Sequence, residues 1–267
     1  MMYRSIPLTA LALAALTLVS CRKEKEETVN NGYMAAIDQS LAENFFNDML
    51  KQADQVASDN GLRGALDGCI ESITIDTTSM PYTILIDFGD VNCTGQDGLE
   101  RRGAIAVSFT GPYRAIGTVI TLQPQGYYVN DHLIQGTKTV TNLGDDSDGN
   151  THFSITVDGT VTAPDASWTS SHQAQRVRTW IAGEASLTPF DDVYLITGSG
   201  SGVDRQGRSY SLQIIDAVRV EIGCPWAVAG TLSITPQDLS TRYVDLGNGS
   251  CDATFTVTVN GFTFTVG

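Results

Sequence analysis

The sequence predicts a mainly β protein, in which an N-terminal amphipathic helix is followed by a long antiparallel meander that forms a sandwich, roll or partly open barrel. Three observations support this fold class. One stretch near the N-terminus keeps apolar residues at helical spacing, and after Gly68 short runs of alternating polarity follow one another. Of 30 threonines, 27 lie between Thr74 and Thr265. Threonine in such quantity is typical of antiparallel sheets with a solvated face.

Residues 1–20 predict a lipoprotein signal peptide. Arg4 provides a positive start, and Leu8 to Val19 is an uncharged apolar run, shorter than the roughly 20 residues of a membrane span. The run ends in Leu18-Val19-Ser20-Cys21, which resembles a bacterial lipobox. The resemblance implies cleavage before Cys21 and acylation of this cysteine, which we predict to be the lipid attachment site. An ordinary secretory peptide with a chance cysteine is the alternative.

Residues 21–31 predict the lipidated cysteine and a flexible tether, because Arg22 to Asn31 carries charge without apolar periodicity. The run Lys23-Glu-Lys-Glu-Glu resembles the acidic export signal of Bacteroidetes-type surface lipoproteins, with a soluble spacer as the alternative. Several acyl chains anchor a protein stably. We therefore expect a cell-envelope protein that is lipid-anchored in the outer membrane, on either its periplasmic or its surface side.

Residues 32–267 predict a single β-rich domain that begins with a helix over about 33–60. Asn60-Gly61 supplies a left-handed helix stop. We expect the apolar stripe to pack on the sheet and the acidic residues to lie on the other helix faces. The stripe consists of Ile37, Leu41, Phe45, Phe46, Met49, Leu50, Ala53 and Val56. The acidic residues are Asp38, Glu43, Asp48 and Asp54.

Alternating segments predict strands along the rest of the chain. They are Thr83–Phe88, Ala104–Thr110, Gly117–Leu122, Thr137–Thr141, Phe153–Thr162, Arg176–Ala182, Val193–Thr197, Tyr210–Ile222, Gly230–Thr235 and Tyr243–Leu246. Residue pairs and runs typical of turns separate many of them. The predicted turns are Asp148-Gly149, Asp158-Gly159, Asp204 to Gly207 and Asn248-Gly249.

The segment Ala253–Val266 predicts a hairpin around a two-residue type I′ turn at Asn260-Gly261. In that register Val259 faces Phe262, Val257 faces Phe264 and Phe255 faces Val266, so that six apolar residues share one face and threonines share the other. A hairpin with one apolar face is stable only when another element packs on that face. We therefore expect a second layer or the helix to pack on it.

Four cysteines remain besides Cys21, and an even number in an exported protein predicts disulfides. Of the three possible connectivities we favour Cys69–Cys93 and Cys224–Cys251, because each pair encloses a short up-and-down pair of strands. A zinc site is the competing interpretation. The sequence lacks the C-x₂-C and H-x₃₋₅-H spacings that such sites use.

Two groups of polar residues are candidate binding sites. Arg176, Arg178 and Trp180 alternate on a strand and therefore share a face, where they could bind a carboxylated or sugar ligand; a wet sheet face balanced by acids is the alternative. The carboxylates Asp145, Asp146 and Asp148 could hold Ca²⁺, with a solvated hairpin turn as the alternative.

The remaining residues predict no catalytic motif. Histidine occurs at positions 132, 152 and 172, beside predicted turns or strand starts, where we expect surface or loop residues. The run Gly198-Ser-Gly-Ser-Gly202 has glycine where a G-x-S-x-G motif has its nucleophile. The adjacent acids Asp191 and Asp192 would point to opposite faces of a strand, so they cannot form a hydrolytic dyad. We predict no enzymatic activity and no cofactor.

The charge of the chain argues against nucleic acid as a partner. The net charge is −14, and lysine occurs at only four positions, whereas phosphate binding needs clustered Lys and Arg. The expected partners are the membrane, through the N-terminal lipid, and an envelope protein or a glycan.

Several segments, taken together and in order, resemble an uncharacterised family of Bacteroidetes-type cell-envelope lipoproteins. Besides the lipobox and the helix they are Gly117-Thr-Val-Ile, Tyr127-Tyr-Val-Asn-Asp, Gly136-Thr-Lys-Thr-Val-Thr-Asn, Arg178-Thr-Trp-Ile, Asp191-Asp-Val-Tyr-Leu-Ile-Thr-Gly and Gly247-Asn-Gly-Ser-Cys-Asp. The resemblance implies an envelope location and supplies no reaction or site residues. The predicted function is a non-enzymatic binding or structural role. The alternatives are a β module for a glycan or small apolar ligand, with Trp168, Trp180 and Trp226 as platforms, and, less favoured, a hydrolase.

Overall fold

The computed structural model describes residues 33–57, 68–112, 115–186, 189–224 and 226–266. One α-helix, α1, covers Met34–Ala57. The predicted signal peptide, Cys21, the tether and the helix stop at Asn60-Gly61 lie outside the described residues. Within those residues no helix has both the length and the apolar character of a membrane span.

In the described part of the chain, fourteen strands follow the helix. They are β1 (Ser72–Asp76), β2 (Tyr82–Asp87), β3 (Cys93–Thr94), β4 (Glu100–Phe109), β5 (Val119–Val129), β6 (His132–Asp145), β7 (Thr151–Thr162), β8 (Thr169–Ala182), β9 (Val193–Val203), β10 (Ser209–Glu221), β11 (Ala227–Pro236), β12 (Arg242–Asn248), β13 (Phe255–Val259) and β14 (Phe262–Val266). A short 3₁₀ helix, Pro189–Asp191, precedes β9.

All the strands belong to one antiparallel sheet, and the predicted mainly β fold with an N-terminal helix is confirmed. The spatial order follows the chain from β1 to β14, except that the two-residue β3 pairs beside β4. In the described part of the chain the order does not return to β1, so the sheet is open. Each of the ten predicted strands and the hairpin corresponds to an observed strand or strand pair, whereas β1 and β3 were not predicted.

The sheet has an inner face, which contacts α1, and an outer face on the other side. Alternation along each strand sends apolar residues to the inner face, as Phe153, Ile155 and Val157 of β7 show. Phe46 and Met49 of α1 pack into the same core, as the apolar stripe predicts. The sheet and the helix therefore bury one another's apolar surfaces.

Two expectations about the helix are wrong. Ile37 of the predicted stripe is exposed, and the acids Asp38 and Asp48 are buried. Asp38 pairs with Arg205, and Asp48 pairs with Arg101. Both arginines belong to the β part of the chain. An acid beside an apolar stripe can thus be buried when its partner comes from another element.

One predicted turn is also wrong. Asp158-Gly159 lies inside β7, whereas Asp148-Gly149 and Asp204 to Gly207 do form turns between strands. A Cβ at position 159 would collide with the Phe46 ring and with the Gln135 carbonyl. This glycine therefore allows α1 and β6 to approach closely.

The C-terminal hairpin has the predicted register, with Val257 opposite Phe264 and Val259 opposite Phe262. The expected cover, however, is largely missing among the described residues. Val257 is buried, but Phe262 is 68% and Phe264 is 43% exposed. The apolar face of β14 lies open.

Both predicted disulfides are confirmed. Cys69 is bonded to Cys93 and Cys224 to Cys251, with sequence separations of 24 and 27 residues. The first bond lies at the β1 end of the sheet and the second at the β14 end. Each bond therefore closes a short loop at one end of the meander.

Candidate functional site

The outer face of the sheet carries a groove over its central strands. Its volume is about 620 Å³, which lies within the range of small-molecule sites. The groove lies over β6 to β9. The lining residues that point to the outer face are Thr137, Thr139, Thr156, Asp158, Gln173, Gln175, Ser199 and Ser201.

Strand register arranges these eight side chains in two adjacent rows. One row runs Thr137, Asp158, Gln173, Ser201, and the other runs Thr139, Thr156, Gln175, Ser199. With strands about 4.8 Å apart, each row spans roughly 14 Å. The result is a double row of hydroxyl and amide groups with one carboxylate, Asp158, along the groove.

Within the first row the side chains already bond to each other. Ser201 Oγ donates to Gln173 Oε1 at 3.4 Å, and Gln173 Nε2 donates to Asp158 Oδ1 at 3.4 Å. These contacts are long, and the side chains are exposed or half-buried. Hydroxyl and amide groups can both donate and accept, so a ligand can replace such bonds.

The inner face holds a different polar group beneath α1, consisting of Glu43, His172, Arg176 and Tyr210. Arg176 Nη2 donates to Glu43 Oε1 at 2.6 Å, and Arg176 Nη1 reaches the Ser199 carbonyl on β9. His172 Nε2 lies 3.7 Å from Glu43 Oε1, and neither ring nitrogen has a hydrogen-bond partner among the described residues. Arg176 therefore joins the helix to the centre of the sheet.

Three of these groups have shifted pKa values. Burial favours neutral Glu43, but Arg176, His172 and Lys138 outweigh it and hold the pKa of Glu43 below its ordinary value. Burial, together with Arg176 and Lys138, lowers the pKa of His172 although Glu43 opposes the shift. Burial, followed by Asp38, Glu43 and Asp204, raises the pKa of Tyr210.

Lys138 is buried on the inner face nearby. Its Nζ donates to the Phe46 carbonyl at 3.2 Å and to Asn47 Oδ1 at 2.7 Å. Burial lowers the pKa of Lys138 to about 7, because the attraction of Glu43 compensates only partly. An ammonium without a carboxylate in contact is costly in such surroundings.

Arg101 of β4 anchors the C-terminal half of the helix. Arg101 Nη2 donates to Asp48 Oδ1 at 2.6 Å, and the Tyr127 hydroxyl donates to Asp48 Oδ2 at 2.7 Å. Asp97 binds the other side of the same guanidinium. Burial opposes the charge on Arg101, but Asp48 and Asp97 raise its pKa.

The predicted set Arg176, Arg178 and Trp180 does share one face of β8. That face is the inner one, however, so the alternative of a wet face is wrong for Arg176 and Trp180. The Arg178 guanidinium lies over the rings of Phe153 and Tyr194, at 5.1 and 4.8 Å, and Trp180 is buried.

The predicted calcium turn is organised by its own backbone. Asp146 Oδ1 accepts the amides of Asp148 and Asn150, and Asp145 Oδ1 accepts the Thr151 hydroxyl. In the described part of the chain no three His, Cys, Asp or Glu side chains are arranged to hold a metal ion. Hydrogen bonds to Asp146 Oδ1 thus hold the turn together.

The histidines and tryptophans occupy mixed positions. His172 is buried, so the expectation of a surface or loop residue is wrong for it, while His132 lies between the rings of Phe45 and Trp168. Trp168 carries the Arg205 guanidinium over its ring at 4.0 Å. Trp226 is half exposed, and no tryptophan lines the groove.

Sequence reasoning missed the groove. The available signal was the run of exposed Thr, Ser and Gln at alternate positions of successive segments. Without the register, those positions could not be aligned into rows. Comparison of the chain with family models, with curated proteins and with solved structures finds no match in any of the three.

Proposed function

We propose that this chain is a lipid-anchored cell-envelope protein with a non-enzymatic binding role, and that its outer groove binds a neutral, hydroxyl-rich ligand such as a glycan. Acylation at Cys21 would hold the domain at the outer membrane. The sheet would then present the groove to ligands near the membrane surface.

The observation that carries this proposal is the double row of hydroxyl and amide side chains over β6 to β9. Such groups match the mixed donors and acceptors of sugar hydroxyls. The lining contains no lysine or arginine and a single carboxylate, Asp158. A neutral ligand therefore fits this groove better than an anion does.

The arrangement of the acids supports binding rather than hydrolysis. Glycoside hydrolysis uses two carboxyl groups on opposite sides of the bond that is cut, and the groove lining offers Asp158 alone. Glu43 and His172 do approach each other, but on the inner face beneath α1, where His172 is buried. That pair is separated from the groove by the sheet.

The groove is tested by removing two of its amides. We expect Gln173→Ala with Gln175→Ala to weaken binding of neutral oligosaccharides about tenfold or more, because each lost hydrogen bond contributes about 1 kcal/mol. Isothermal titration calorimetry with a panel of neutral and acidic oligosaccharides measures the effect.

The matched control is Gln123→Ala with Gln135→Ala. Both glutamines are exposed on outer-face positions of β5 and β6 and do not line the groove. We expect this pair to leave affinity unchanged. Equal weakening by both double variants, or a native protein that binds none of the neutral sugars, contradicts the proposed ligand.

The anchor is tested separately with Cys21→Ser. Since the predicted acyl groups attach to this residue, the variant should lose incorporation of labelled fatty acid and should leave the membrane fraction. Detergent phase partitioning of the native protein and the variant, run side by side, measures how much of each is attached to lipid. A variant that stays as particulate as the native chain contradicts the anchor and leaves the groove proposal untouched.

A further inference from the structure

The last strand of the sheet, β14, has an unpaired outer edge in the part of the chain that the structure describes. Its inner-face residues Phe262, Phe264 and Val266 are 68%, 43% and 41% exposed. Strands β13 and β14 contain no charged residue and no proline, and their pairing has no bulge. Natural sheets usually protect an exposed edge with one of these devices.

The opposite edge differs in this respect. The other terminal strand, β1, ends at Asp76, and Glu71 directly precedes it. Acidic residues at an edge oppose pairing with a second copy of the same acidic chain. Of the two edges, β14 is thus the one left open to pairing.

Hairpin geometry determines which backbone groups of β14 are free. Asn260 and Gly261 have φ values of 51° and 80°, as a type I′ turn requires, so Val259 and Phe262 exchange backbone hydrogen bonds. Bonded and non-bonded pairs alternate along an antiparallel ladder. The N–H and C=O groups of Thr263 and Thr265 therefore point away from β13, toward the open edge.

We propose that β14 pairs with β14 of a second copy, antiparallel and about a two-fold axis that passes beside Phe264. In this register Thr263 of each copy exchanges two hydrogen bonds with Thr265 of the other. Phe262 lies opposite Val266, and the two Phe264 side chains meet across the axis. The alternation of Phe, Thr, Phe, Thr and Val reads the same in polarity in both directions, so it is self-complementary.

A second copy is favoured over an unrelated strand because residues 262–266 of a second β14 supply both the matching backbone hydrogen bonds and the matching alternation of apolar and polar side chains. The absence of charge on β13 and β14 also matters, since each copy has a net charge of −14. Elsewhere the two copies repel each other. Added salt should therefore strengthen the dimer by screening that repulsion.

The area of the contact between the two copies determines the expected affinity of the dimer. Four fully exposed phenylalanines would bring on the order of 600–1,000 Å² into the contact. Phe262 is 68% and Phe264 is 43% exposed, so the two copies together bring less than that. This is below the roughly 1,200 Å² of standard stable interfaces. We therefore expect a reversible dimer with a Kd in the micromolar range.

The first test is the sedimentation of the full chain from about 1 to about 200 μM, a range that brackets the expected Kd. The Cys21→Ser protein is run alongside, so that association through an acyl group is separated from association through β14. We expect Thr263→Pro to abolish the dimer in both backgrounds. This proline removes an amide that points outward and leaves the bonds to β13 in place.

The second test fixes the register by disulfide trapping in the Cys21→Ser background. The two Cα atoms of a central non-bonded pair lie about 4.5 Å apart, so Phe264→Cys should form a covalent dimer. The matched variant Phe262→Cys should not, because its two copies lie about four residues apart along the ladder.

Three results overturn the proposal. The first is a chain that stays monomeric over the whole range, and the second is cross-linking by Phe262→Cys as readily as by Phe264→Cys. The third is a monomer whose β14 variants change only its binding to neutral phospholipid vesicles, which would assign the open face to lipid. None of these results bears on the groove or the anchor.

Discussion

At the scale of single residues, Lys138 shows how the helix shapes the chemistry of the inner face. The side chain lies on the inner face of β6 between Ile134 and Val140, and it is buried. It reaches a helix carbonyl and Asn47 rather than a carboxylate. The folded state therefore favours the neutral amine above about pH 7.

We predict that Lys138 makes folding stability rise with pH above neutrality. Its pKa is about 7 when folded and near 10.5 when unfolded, so between these values the unfolded chain binds more protons. The free energy of unfolding should then increase with pH, by at most about 1.4 kcal/mol per unit from this group. Below pH 7 both states are protonated and the effect ends.

Urea unfolding at about pH 7, 8 and 9 measures this slope. Lys138→Met keeps the length of the side chain and removes the titration, so the variant should be more stable than the native chain near pH 7 and should show a flatter profile. Parallel profiles for the two proteins would show that Lys138 is charged in the fold. Lys51, which is exposed, provides the control as Lys51→Met.

Residue patterns predicted which side chains share a face but not which face is covered. The common face of Arg176, Arg178 and Trp180 followed from alternation alone. Their burial could not be predicted, because it depends on Glu43 arriving from the helix and on the glycines of β9. A Cβ at Gly200 would lie 3.3 Å from the Arg176 guanidinium, so the glycine provides the space in which the arginine lies.

At the scale of elements, α1 is held on the sheet by carboxylates as well as by apolar contacts. Asp38, Glu43 and Asp48 each pair with an arginine from the β part of the chain. Breaking a buried pair leaves its partner charged without compensation, and this costs more than the pair itself contributes. These acids fix the position of the helix against the inner face.

We predict that Asp48→Ala lowers the free energy of unfolding by about 3 kcal/mol, because the fully buried Arg101 would remain charged after losing the carboxylate that binds both its Nε and its Nη2. Denaturant unfolding measures the loss. The double variant Asp48→Leu with Arg101→Met should recover much of it, since both charges are then removed.

Lys51→Ala is the control for the same cluster. Lys51 pairs with Asp97 at 2.8 Å but is half exposed, and exposed pairs contribute about 0–1 kcal/mol. If Asp48→Ala costs no more than Lys51→Ala, the Asp48–Arg101 pair does not help to hold the helix on the sheet.

The order and type of the elements were largely predictable, because each long strand carries its own alternation and most turns carry their own Gly and Asp residues. The hairpin register followed from one dipeptide, Asn260-Gly261. The error at Asp158-Gly159 has the opposite cause. A glycine required by tertiary contact with Phe46 has the same local appearance as a turn glycine.

At the scale of the whole molecule, the sheet is a chain of nearest neighbours. Strands pair with their neighbours along the chain, except that β2 pairs with β4 and the two-residue β3 lies beside β4. In the described part of the chain β1 and β14 end the order. The helix contacts strands between β4 and β11. The two ends of the sheet therefore depend most on local constraints, and each has one disulfide.

The sequence could not predict that one face of the last strand is left uncovered. Alternation requires that one face of each strand be covered but does not specify whether a helix, a second layer or another molecule covers it. For β13 the answer lies within the chain, since Val257 is buried. For β14 it does not, and this is why the expectation of a covered hairpin was wrong there. The same exposed strand is the one that we propose for dimerisation.

We predict that the disulfides stabilise the two ends of the sheet independently. Cys224→Ala with Cys251→Ala opens a loop of 27 residues and should cost about 3 kcal/mol. Amide hydrogen exchange should lose protection mainly in β11 to β14, with β6 to β9 unchanged. Cys69→Ala with Cys93→Ala is the matched control and should affect β1 to β4 instead. A loss spread evenly over all strands by either pair would mean that the sheet opens as one cooperative unit, in which the ends have no stability of their own.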